Sequence, residues 1–131
     1  MPTVSYGFDR YLEGVSFEDA RSRVVDALKT EGFGVLTEID VEATLRKKLD
    51  VDFRPYAILG ACNPALAHQA LKGESQIGLL LPCNVVVQAE GDGVRVSIAD
   101  PKAMFTMVDN PDVAGVAVEA ESRLRRVMER V

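Results

Sequence analysis

Cys62 and Cys83 are the only thiols among the 131 residues, and each is followed by asparagine. Cys62 lies in Gly60-Ala61-Cys62-Asn63-Pro64, and Cys83 in Leu81-Pro82-Cys83-Asn84-Val85. Each stands where an apolar run meets a structure-breaking signal, and such strand ends are where binding and catalytic groups concentrate. A pair of thiols supports three chemistries: a redox disulfide, a shared soft-metal site, or an acceptor for transferred sulfur. The spacing is not that of a zinc finger, which needs four ligands in close pairs. Two ligands per chain would hold structural zinc only if a dimer supplied two more.

Asn63-Pro64 reads as a helix N-cap followed by a proline at the first helical position. Free amides at that helix start are expected to draw the Cys62 pKa below the usual ~8.5. Cys62 would then be the nucleophile of a thiol enzyme and Cys83 its resolving partner. The absence of a Cys-x-x-Cys motif and of an evident base weighs against this. His68, the one histidine, falls just over one turn beyond Pro64, as a third ligand or a base for Cys62. Its plainer reading is a structural or exposed side chain. Asn63 reads first as a cap and Asn84 as a partner for a backbone group where its strand starts; either is also a candidate ligand donor. For Cys62 the plainest role is that of a small buried hydrophobe. Met104 and Met107 read as packing beneath the last helix, with thioether donation to copper(I) as the alternative. Gly91-Asp92-Gly93 is a turn and not a phosphate loop, because no Gly-Lys-Ser or Gly-Lys-Thr follows.

The elements that must position these residues follow from periodicity and breakers. Val4 to Leu12 reads as a strand. Ser16 caps a helix that carries Phe17, Ala20, Val24 and Leu28 on one face and ends at Gly32. Phe33 to Ile39 is a strand, and Asp40 caps a short helix, Val41 to Leu49, with a stripe of Val41, Leu45 and Leu49. Phe53 to Ala61 is a largely buried strand with Pro55 near its start. A third helix runs from Pro64 to Lys72, and Gly78 to Pro82 is a brief apolar run. Val85 to Glu90 and Val94 to Asp100 form a hairpin around the glycine turn. Asn110-Pro111 opens a last helix to about Val131, with its acids early and its arginines late, as the helix dipole favours. The order β-α-β-α-β-α-β-β-α predicts one α+β domain over 1–131, a largely antiparallel sheet covered by helices on one face.

Composition bounds the partners. The net charge is -5, and no Lys/Arg cluster stands clear of acids, so nucleic acid is not an expected partner. The longest apolar stretch, Ile77 to Val87, is too short to span a bilayer. Met1 to Tyr6 has neither a basic region nor an apolar signal core, so the expected compartment is the cytoplasm, where cysteines stay thiols, ligands or redox groups.

The stretches Tyr56 to Pro64 and Gly78 to Val87, with a weaker third at Asp100-Pro101 and Met104, resemble the signatures of the domain-of-unknown-function family 302. The resemblance covers nearly the whole chain. It implies a domain similar to the TATA-binding-protein-like fold, commonly a homodimer, with Cys62, Asn63, Pro64, Cys83 and Asn84 as its site-like residues. It implies no activity and no cofactor. The expectation is therefore a small module that binds or senses a small-molecule, soft-metal or sulfur ligand through Cys62 and Cys83. The alternatives are a thiol enzyme and a purely structural dimer module. A homodimer is expected also because the sheet edge and the apolar Phe105 and Met107 need cover.

Overall fold

A computed structural model describes residues 4–131. The N-terminal reading above falls in part on residues 1–3, which lie outside the described residues.

Five strands form one antiparallel sheet: β1 (Gly7–Glu13), β2 (Gly34–Asp40), β3 (Tyr56–Cys62), β4 (Cys83–Glu90) and β5 (Gly93–Ala99), in the spatial order β1-β5-β4-β3-β2. The class is α+β, as the element order predicts. Along β4 and β5, Val85, Val87, Val94, Val96 and Ile98 are fully buried, while Val86 and Ser97 between them are not. That alternation assigns one face of the sheet to the core.

Two long helices cover that face. α1 (Phe17–Thr30) contributes Ala20, Val24, Ala27 and Leu28; α5 (Pro111–Arg130) contributes Leu124, Val127 and Met128. The capping signals work as read. Ser16 accepts from the Asp19 N–H at 3.1 Å. Gly32 (φ +82°) turns the chain after α1, so that the Phe33 N–H reaches the Leu28 carbonyl at 3.0 Å and the Gly32 N–H reaches that of Lys29 at 3.1 Å. This reciprocal C-terminal pattern needs a left-handed residue, the conformation glycine adopts without a Cβ clash.

The start of α5 lies in a second, smaller apolar cluster: Val113, Val116 and Ala117 meet Ala70, Ile77 and Phe105. Ala70 belongs to α3 (Pro64–Gly73), and Phe105 follows α4 (Pro101–Met104). One helix thus joins two cores, with Ala120 between them. Among the described residues, no helix is long and apolar enough to cross a membrane.

Five features differ from the sequence reading, the first being that β3 begins at Tyr56 rather than Phe53 and runs on through Cys62. β1 begins at Gly7, because its ladder to β5 starts with Gly7 opposite Ala99, and Tyr6 is exposed. α2 (Val41–Leu49) buries no residue, and the end of its apolar stripe, Leu49, is exposed. The run around Gly78 is a 3-10 helix, Ser75–Leu80. α4 and the 3-10 turn Phe105–Met107 go unread because they are too short to show a period. Asp100 caps α4 from the same Asx-Pro signal seen at α3 and α5, accepting from the Lys102 N–H at 2.9 Å.

Candidate functional site

The antiparallel pairing of β3 with β4 brings the end of one strand to the start of the next. Cys83 is the register partner of Ala61, so the two thiols stand on adjacent strands, one residue out of step. Both line a single apolar cavity of about 30 Å³ at the seam between the two cores. Its walls come from every neighbouring element: Phe33, Leu66 of α3, Pro82, Phe105, and Val116 and Ala120 of α5. Both cysteines are free thiols and partly buried. The sequence reading placed them together if the strand ends coincided, and they do.

The volume decides what this cavity can take. About 30 Å³ exceeds the ~10–15 Å³ one water requires and falls far below the ~300 Å³ at which drug-sized ligands are enclosed. It is a space for one or two heavy atoms.

Neither thiol is activated. Burial pushes the Cys62 thiol up. Burial, with the neighbouring Cys62 charge, pushes Cys83 up to about 11. The expectation that the helix start lowers the Cys62 pKa is therefore corrected, and the reason lies in burial and in where the amides go. Pro64 has no N–H. The Leu66 N–H donates to Asn63 Oδ1 at 3.2 Å, and the Ala67 N–H donates to the Asn63 carbonyl at 2.9 Å. Two of the amides at the helix start are thus engaged within the cap and the first helical turn, and burial sets the direction of the shift.

Asn63 is a buried tie between elements. Besides capping α3, its Nδ2 donates to the Glu31 carbonyl at 3.3 Å, and Arg123 Nη1 donates to the same oxygen at 3.3 Å. Asn63 thus joins α3 to the end of α1, at the Gly32 turn that the last helix also grips. Asn84 differs: it is exposed, and it lines a separate cavity of about 140 Å³ together with Cys83. His68 is exposed on α3 and does not line the thiol cavity. The structure does not bring it to Cys62 as a base or third ligand. Among the described residues, no group of three or more His, Cys, Asp or Glu side chains is arranged to hold a metal ion.

Gly60 shapes the approach to the site. A Cβ there would collide with Thr37 Oγ1 and lie 2.8 Å from the Pro82 ring. The bare backbone lets Pro82, the residue before Cys83, approach β3 closely. Pro101, Phe105, Val116 and Ala120 were not read as site residues. Pro101 falls in the weaker third signature stretch; the only sequence signal of Phe105, Val116 and Ala120 is apolarity, which does not tell a cavity wall from any other core position.

Two larger surface hollows lie elsewhere, and an arginine in each is already engaged. In one, Arg95 bonds Asp9 at 2.5 Å and Glu90 at 2.8 Å. In another, Arg10 donates to the Met128 carbonyl at 3.0 Å near the end of α5.

Comparison with known proteins agrees with the fold. No curated protein matches the chain. A solved structure is similar: the crystal structure of an uncharacterized conserved protein DUF302 from Bacillus stearothermophilus. It is 29% identical over 97% of this chain and 98% of that one, with a TM-score of 0.88. The family model of the domain of unknown function DUF302 matches residues 9–131, a span that holds all five strands but the first two residues of β1, and both Cys-Asn junctions. The protein belongs to the DUF302 family.

Proposed function

We propose that this chain is a binding module that captures one soft, atom-sized ligand between Cys62 and Cys83: a thiophilic metal ion or a transferred sulfur atom. The observation that carries this is the shared apolar cavity of about 30 Å³ with a thiol from each of two adjacent strands. Soft ligands favour sulfur donors over oxygen and nitrogen. Binding is favoured over catalysis because burial holds both thiols in the protonated form, in which they are poor nucleophiles.

The test is mass spectrometry of the intact protein purified from cells, followed by titration with silver(I). The expected results are one bound atom per chain and loss of that capacity in Cys62→Ser and in Cys83→Ser, with the melting transition retained. An unloaded native protein that also ignores silver(I) would remove the proposal.

A homodimer is proposed with it, though not on account of Phe105, which the second apolar cluster of the same chain already buries. Ile39, Ile58 and Val86 form a row across β2, β3 and β4, on the face opposite the core. Ile39 and the neighbouring edge residue Leu36 are exposed. A second copy would cover this row with one self-complementary surface. Sedimentation that gives only the single-chain mass at micromolar concentration would refute it.

A further inference from the structure

Cys83 is a wall common to two cavities. Cys62 lines the smaller. Met104 lines the larger, of about 140 Å³, with Leu79 and Leu80. Those two leucines also line a surface groove of about 400 Å³, where Met107 is 70% exposed. Sulfur-bearing residues therefore follow one another along these adjoining hollows: Met107, Met104, Cys83, Cys62. Two of the four methionines in the chain stand on this line. The groove also carries the carboxylates Glu74 and Asp109, which attract cations and repel anionic sulfur species.

We propose that a monovalent thiophilic cation of the copper(I) class enters through this groove. It passes from the Met107 and Met104 thioethers to a two-thiolate site at Cys83 and Cys62. The proposal rests on the reading of the cysteine pair as a binding site and names its ligand and its path. Thioethers are neutral and soft, so they hold such an ion without giving up a proton and without attracting hard cations. At the cysteines, each S–H bond breaks as a sulfur–metal bond forms. The balance is M⁺ + 2 RSH → [M(SR)₂]⁻ + 2 H⁺, with both protons passing to solvent and no electron transferred. Apparent affinity therefore rises with pH, by up to about 100-fold per unit while both thiols are protonated.

The experiment uses silver(I), a redox-inert probe of the same charge and softness, and the full chain. Stopped-flow mixing gives the uptake rate and competition gives the affinity. Met104→Leu and Met107→Leu keep side-chain volume, so packing is preserved. The double variant is expected to take up silver(I) at least about tenfold more slowly, with stoichiometry unchanged and affinity within about threefold. An unchanged rate at unchanged stoichiometry would overturn the path and leave the cysteine site standing. No silver bound by the native chain, equal binding by a Cys62→Ser/Cys83→Ser variant, or affinity independent of pH would overturn the two-thiolate site itself.

Discussion

Cys62-Asn63 closes a strand and opens a helix, whereas Cys83-Asn84 opens a strand, and this difference in direction governs both residues of each pair. At the first junction the asparagine turns inward, caps α3 and holds the Glu31 carbonyl. At the second it is the second residue of β4 and exposed. The thiols differ in the opposite sense. Cys83 follows Pro82 into the strand and packs against the main core, with its proton held up to about 11. Cys62 sits at the strand end with a smaller upward push from burial alone. Two dipeptides of the same composition thus divide the work: one supplies the structural asparagine, the other the deeper thiol. They meet only because β3 and β4 are antiparallel neighbours.

The contrast can be broken outright. Phe105 lines both cavities beside Cys83 and is buried. Phe105→Ala is expected to cost about 3–5 kcal/mol of stability and to open Cys83 to reagent. Denaturant melts and thiol labelling together check this; an unchanged midpoint would show that Phe105 does not close the site.

Native labelling sharpens it. At neutral pH a thiol at about 11 has roughly 100-fold less thiolate than one at its ordinary value. Alkylation resolved by peptide mass spectrometry should therefore mark Cys62 well before Cys83. Equal rates would remove the distinction.

Alkaline stability gives a smaller effect of definite sign. The folded state holds the Cys83 proton more tightly than the unfolded chain, whose thiol titrates near ~8.5. Its contribution is complete below that pH and is lost as pH rises toward about 11. The fall is about 2 kcal/mol after allowance for partial exposure. Cys83→Ala should flatten it more than Cys62→Ala does; the reverse order in pH-dependent melts would contradict the assignment of the deeper thiol.

The smallest effect separates the asparagines. Asn63→Ala loses a helix cap and is expected to cost about 1–2 kcal/mol. Asn84→Ala, at an exposed strand position, should stay within about 0.5 kcal/mol. Comparable losses in chemical unfolding would mean that the two junctions are structurally alike after all.

Local chemistry carried much of this into the sequence. Ser16, Asp40, Asn63 and Asn110 cap their helices as read, and Gly32 ends α1, because capping depends on a side chain and amides only two or three residues away. The alternation of Val85 to Glu90 and Val94 to Ala99 was equally legible, since burial on one sheet face leaves a period of two. The candidate thiols were legible as the only ones present. Tertiary structure decided the rest. Whether Cys62 and Cys83 share a cavity depends on which strands pair. That His68 stays outside depends on how α3 rotates against α5. The pKa directions depend on burial around a cavity that Phe105, Val116 and Ala120 help to wall, residues more than twenty positions beyond Cys83. Such contacts leave no local period, because the free energy that selects them comes from packing the whole chain at once.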